Sequence, residues 1–196
     1  MTLPRSSSGV PYWPGESGPD AEPPSGSRRG LLVRVVLFVL LFAVMLGAYD
    51  AGRGGWVERL VIDRATVGTA AWLIDAADPA LGVEAAGSRL RAPGGGINVL
   101  NGCEGADVMF LMASAMLVAP LSWRRRLAGL AVGAAMVFAL NQVRIIALFY
   151  SFRSDPGLFE MLHGLIAPLL LVAAVAAFFF VWLERAPAAA PAAQCR

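Results

Sequence analysis

Lysine is missing altogether: the sixteen basic residues of the 196-residue chain are all Arg. We take this as compositional bias rather than as a phosphate-binding device. Charge of either sign is scarce, at 15% of residues, and sixteen basic against fourteen acidic side chains leave a net charge of only +2. That balance gives no reason to expect a nucleic acid or an acidic substrate as partner. One His and two Cys are too few and too scattered for a metal cluster, and no cofactor motif is present. What the chain has instead is grease: 57% hydrophobic residues and a mean hydropathy of +0.63. Apolar residues gather in long runs, one of them free of charge from Val35 to Tyr49. A bilayer-spanning element requires such a run and a globular core does not. Collagen, solenoid and soluble-enzyme readings are excluded, and the composition predicts an all-α integral membrane protein.

The layout follows from punctuation and charge. Residues 1–30 alternate Ser, Gly and Pro with little apolar surface, which predicts a disordered cytoplasmic tail. Four transmembrane helices are expected, over about 31–49, 106–123, 127–150 and 161–183, and residues 186–196 form a second disordered cytoplasmic tail. A cleaved signal peptide at the first run is disfavoured by its long leading segment and by Leu46 near the small residue Ala48. In the loop 50–102, WVERLVIDRATVGTAAWLID has apolar spacing near three and four with charges between, which predicts an interfacial helix on the membrane surface. Beyond Asp78-Pro79, short segments around Arg89–Arg91 and Ile97–Leu100 flank a Pro-Gly-Gly-Gly turn and predict a small outer-face β-hairpin ending before Cys103. Arg28-Arg29, a connector Arg124-Arg125-Arg126, and Glu184-Arg185 mark the ends expected to lie in the cytoplasm.

That topology delivers three chemically distinct groups to the outer level. Cys103 stands at the entrance of the second span. Arg144 lies six residues before the expected end of the third, about 9 Å deep at 1.5 Å per residue. His163 stands near the start of the fourth. Each has a bland reading: a small buried thiol, a snorkelling guanidinium, an interfacial imidazole. Arg144 is the hardest to dismiss, because Arg in an apolar helix costs up to about 2.5–3.5 kcal/mol at the membrane centre. Asn141 shares its helical face. Cys103, Asp107 and Ser114 are spaced to form an inward polar stripe, with Asp107 a candidate partner for Arg144 or His163. Glu104 is expected to point to water, and the glycines of Gly-Cys-Glu-Gly leave room for a substrate backbone.

A thiol attacking an amide needs conversion to thiolate, a proton for the leaving amine, and positive charge where the oxyanion develops. His163 suits the first two tasks, and Arg144, with Asn141, the third; Arg144 holding a substrate carboxylate is the other possibility. Cys195 falls in the C-terminal tail, on the side of the membrane opposite Cys103, so a disulfide between them is excluded. No metal ligands and no cofactor are expected.

The strings NGCEG, WRRRLAGL, LNQVRIIALFY and FEMLHG, from Asn101 to Leu183, resemble the exosortase/archaeosortase family and, within it, the exosortase H-type subgroup. The resemblance implies Cys103 as nucleophile, Arg144 and His163 as the other catalytic residues, and sortase-like chemistry on a fold unlike that of sortases. Asn101, Asp107 and Asn141 fall in as supporting or substrate-binding residues. It further implies a cysteine protease/transpeptidase of the bacterial inner membrane with its site facing the periplasm. Its partners would be proteins bearing a C-terminal sorting motif, a membrane helix and a basic tail, besides membrane lipids. Glu104 departs from the smaller or neutral residue the family often carries after its Cys. Two other classes remain. A non-catalytic assembly protein would bind an anionic lipid or a partner helix through Arg144. A small transporter would need polar residues continuing to the inner face, where these spans are almost wholly apolar.

Overall fold

The structure, a computed structural model, describes residues 25–100 and 102–185. The expected tails over 1–24 and 186–196, Cys195 and Asn101 lie outside the described residues. Helix α1 spans Ser25–Ala51. Next come a short helix α2 (Trp56–Glu58), a π-helical stretch Arg59–Gly68 and α3 (Thr69–Ala77), followed by a 3-10 turn at Pro79–Leu81. Strands β1 (Glu84–Ala86), β2 (Arg89–Arg91) and β3 (Ile97–Asn98) precede α4 (Ala106–Val118) and α5 (Trp123–Ser154). Helix α6 (Pro156–Met161), a second π-helical stretch Leu162–Ile166 and α7 (Ala167–Glu184) complete the chain.

Among the described residues, three helical runs are long and apolar enough to cross a membrane: Arg28–Ala51, Trp123–Ser154 and Pro156–Glu184. Along α1, Leu31, Val36, Leu40 and Val44 are all exposed, an apolar surface that water would not tolerate at this scale. The expected second span over 106–123 is shorter than predicted. Its helix has thirteen residues, about 20 Å against the roughly 30 Å of a hydrocarbon core. Pro120 stops it, and the chain is extended until α5 begins at Trp123.

Helix α4 packs against α1, α5 and α7. Small residues allow the close approach: a Cβ on Gly129 would fall 2.7 Å from Trp182 Nε1, and one on Gly133 would collide with Met112 Sδ. Three further boundaries differ from expectation. Residues 25–30 are helical rather than tail. Arg124–Arg126 form the first turn of α5 instead of a connector, because their guanidinium groups serve helix ends: Arg126 donates to the Ala119 carbonyl at 3.0 Å and Arg125 to that of Trp182 at 3.1 Å. The last run starts at Pro156, not 161, because Asp155 caps it, accepting from the Gly157 and Leu158 amides, with Pro156 at the first helical position.

The segment expected to lie along the membrane surface is helical, but its apolar face packs on protein. Ile62, Val67 and Ile74 form one core with Val83, Leu90 and Val99 around the sheet and with Ile145 and Phe149 of α5. Each such side chain contributes about 1.5–3 kcal/mol on burial. The expected hairpin is there as β2 and β3, with Leu90 opposite Ile97, and β1 adds a third antiparallel strand that the sequence reading missed. Its tight turn has Gly87 at φ 60°. Arg153 fastens this cap to α5, donating to the carbonyls of Pro93 at 2.9 Å and Gly95 at 3.3 Å while lying over the Phe149 ring.

The two ends of the bundle differ in charge. Arg34, Ala119, Pro120 and Leu183 line one groove, so the start of α1, the turn into α5 with its three Arg, and the end of α7 share one end. The β-sheet cap and Cys103 belong to the other.

Candidate active site

Cys103 is held in a loop built by conformation rather than by side chains. Its amide donates to the Leu100 carbonyl at 2.9 Å. Gly102 and Gly105, on either side of Cys103-Glu104, have φ of 92° and 80°, the left-handed region that costs other residues about 1–2 kcal/mol. Gly105 is constrained twice, since a Cβ there would sit 3.0 Å from Asn141 Cγ. Gly105→Ala is therefore expected to destabilise the protein by about 1–2 kcal/mol and to shift the loop. Thermal unfolding and the rate of Cys103 alkylation measure the two effects, and unchanged values of both would refute the constraint.

The half-buried thiol of this loop meets an imidazole from the last helical run: Cys103 Sγ lies 4.0 Å from His163 Nδ1. His163 is not at a helix start, as expected, but seven positions beyond Pro156, inside the π-helical stretch, a local widening frequent at functional sites. Its ring stacks on Phe159, with centroids 5.5 Å apart and planes within 2°, and Phe159 in turn meets Phe152 edge-on. Phe159 was not singled out from the sequence, although its i, i+4 spacing to His163 was the available signal.

Arg144 supplies the third group. Its charge acts on the Cys103 thiol, and its Nε is buried without a hydrogen-bond partner. Because α5 continues to Ser154, Arg144 lies about 15 Å from that helix end rather than the expected 9 Å from the end of a shorter span. An apolar groove of about 200 Å3 between α5 and the last helical run passes Arg144 and is lined by Leu140, Val143, Ala147, Leu162 and Leu170.

The supporting residues divide. Asn141 is 1% exposed, packs against Gly105, and neither of its amide atoms has a partner. Gln142 beside it, which the sequence reading passed over, is also buried with its amide unsatisfied. Asp107 is exposed and, among the described residues, forms no ion pair with Arg144 or His163. Ser114 does not continue a stripe into the site; it is fully buried and its hydroxyl approaches Met45 Sδ of α1 at 3.7 Å. Glu104 does not point to water. It is 7% exposed, turned inward between the two left-handed glycines.

Burial pushes the Cys103 thiol above its ordinary pKa; Arg144 pulls it down, and Glu104 and Asp107 push it up again. Burial outweighs the guanidinium, so the resting sulfur is protonated and a base is needed to ionise it. Alkylation of Cys103 should accordingly rise with pH to a midpoint above that of a free thiol. Removing the negative charge in Glu104→Gln lowers the thiol pKa and should speed alkylation several-fold at pH 8, measured with iodoacetamide by mass spectrometry; a slower variant contradicts the sign.

Membrane-length helices under a small three-stranded sheet, with a thiol and an imidazole in contact at the capped end, define an integral membrane protein. The chain belongs to the exosortase family: the family model described as Transmembrane exosortase (Exosortase_EpsH) matches residues 25–182. The family is a class of membrane cysteine proteases and transpeptidases acting on proteins with sorting signals. No curated protein and no solved structure matches the chain.

Proposed function

We propose that the protein is a cysteine protease/transpeptidase of the bacterial inner membrane that cleaves the C-terminal sorting signal of exported proteins at the outer face. The observation that carries this reading is the 4.0 Å approach of Cys103 Sγ to His163 Nδ1 under the charge of Arg144. His163 takes the thiol proton as sulfur attacks the scissile carbonyl, and Arg144 neutralises the oxyanion. The proton then passes from His163 to the leaving amine, giving a thioacyl-enzyme on Cys103. Water or an amine resolves it. Asn141 beneath Gly105 and Asn101 before the nucleophile are supporting residues. Asp107 acts only through its charge. The groove that passes Arg144 suits the substrate's own membrane helix.

The orientation rests on charge. Arg34, Arg124–Arg126 and Arg185 share the end opposite Cys103, which by the bias of Arg toward the cytoplasm puts the site on the periplasmic side and both termini inside. With α4 and its extended continuation as the fourth crossing, residues 31–185 form one membrane domain. A membrane-impermeant thiol reagent on intact cells should label Cys103 and spare Cys195; the reverse pattern inverts the topology.

The test of the chemistry is to trap the intermediate. Incubation with a substrate carrying a C-terminal sorting motif, membrane helix and basic tail should leave an adduct on Cys103 that hydroxylamine releases. Cleavage without an adduct at Cys103 rejects the thioacyl mechanism. The second reading, an assembly protein holding an anionic lipid at Arg144, is favoured by the same apolar groove with a cation in its lining. It requires that no cleavage be seen at all.

A further inference from the structure

Next to the loop of Cys103, and lined by the following residues Glu104 and Gly105, is a second cavity that the acylation chemistry does not use. It measures about 260 Å3, and its lining includes Tyr49, Glu104, Phe110, Val137 and Phe138. Glu104 is more than nine-tenths buried, and neither of its carboxylate oxygens has a hydrogen-bond partner. The Gly102 and Glu104 amides and the Tyr49 hydroxyl are close enough to favour the charged carboxylate, yet none of them reaches hydrogen-bond geometry, and the Tyr49 hydroxyl is without a partner too. Unsatisfied groups of this kind cost about 1–3 kcal/mol each, so a protein that keeps two facing one cavity has them for a ligand that fills it.

The character of the ligand follows from the lining. Glu104 is the one charged residue in the lining and no basic side chain joins it there, so the cavity favours a cation. Apart from Thr66 the remaining walls are apolar, with Val57, Val61 and Met109 beside aromatic rings; Tyr49 and Phe110 meet edge-on at 5.5 Å. Aromatic faces attract an organic cation, and a carboxylate with a phenol beside it accepts N–H donors. Glu104 also directly follows Cys103, and its charge reaches the thiol.

We propose that this cavity binds a primary ammonium on an aliphatic stem and is the acceptor site of the enzyme, with Glu104 as the residue that holds and deprotonates the acceptor. The inference rests on the thioacyl-enzyme reading for its second half only. The Glu104 carboxylate takes one proton from the ammonium, and the freed amine attacks the thioester carbonyl. The N–C bond forms and the C–S bond breaks; the second amine proton passes by way of His163 to the departing sulfur. An amide, a thiol and a protonated Glu104 result from a thioester, an ammonium and a carboxylate. Burial, which raises the Glu104 pKa, makes this carboxylate a better base than an exposed one.

Two measurements on the full chain test this. The first needs no catalysis: n-pentylammonium is titrated by calorimetry into the Cys103→Ser protein, with n-pentanol and n-pentyltrimethylammonium as comparisons. Saturable binding of the primary ammonium is expected, at least tenfold tighter than either comparison and weakened at least tenfold in Glu104→Gln. Tyr49→Phe should weaken it less. Equal affinity for the alcohol, equal affinity for the quaternary cation, or no effect of Glu104→Gln overturns the site. The second reads the ratio of amide to acid product when pre-formed acyl-enzyme meets pentylamine, a ratio independent of how fast the acyl-enzyme forms. Glu104→Gln should lower it at least tenfold, and an unchanged ratio removes the acceptor role. If the protein cleaves no substrate, the thioacyl reading fails, while the titration still decides the ammonium site.

Discussion

Cys103→Ala is expected to stop processing of a substrate with a C-terminal sorting signal, a loss on the order of 10^4-fold or more, with the protein still inserted and folded. The size follows from what is removed. The sulfur forms the bond to the acyl group, and neither His163 nor Arg144 offers a second nucleophile in its place. Cys103→Ser is the sharper variant, because the hydroxyl keeps the shape of the loop between Gly102 and Gly105 but is a far weaker nucleophile at neutral pH. Both should block maturation of a tagged substrate followed by immunoblotting in cells. Unchanged maturation in either variant would leave only the reading in which Arg144 binds a lipid or a helix.

His163→Ala should lower the rate of acylation by about 10^2–10^4-fold at neutral pH, the range for a positioned acid or base. The buried thiol is held protonated in the resting site, so without the imidazole, activity waits on spontaneous ionisation. The residual rate of the variant should therefore climb with pH until the thiol has titrated, above the ordinary thiol range, whereas the parent levels off lower. A flat profile, or a loss smaller than fivefold, would mean that the 4.0 Å contact is not the proton path. Phe159→Ala, which only unstacks the ring, should cost less and leave the shape of the pH profile unchanged.

Much of the architecture was legible because hydropathy is local. A run of apolar residues reports a membrane helix whatever its neighbours, and two of the groups singled out in the sequence, Cys103 and His163, lie side by side at the capped end. Boundaries were read less well. Arg124–Arg126 look like a loop in the sequence, yet they are helical because carbonyls of Ala119 and Trp182 are within reach of their side chains. The helix from Trp56 to Ala77 looks amphipathic enough for a membrane surface; Ile62, Val67 and Ile74 pack on the sheet and α5, while Trp56, Leu60 and Trp72 stay exposed. A pattern gives the period of a buried face and not the surface that buries it.

By itself the sequence determined that this is a membrane protein and located three of the four runs it expected to cross, and it singled out a thiol, a guanidinium and an imidazole far apart in the chain. Only the tertiary structure decided that the imidazole touches the sulfur, that Asp107 is exposed and acts on the thiol through its charge, and that Glu104 is buried and lines one cavity with Tyr49. The reason is physical: apolar length is written in consecutive residues, whereas the direction and solvation of one carboxylate depend on two glycine dihedrals and on side chains arriving from more than fifty residues away.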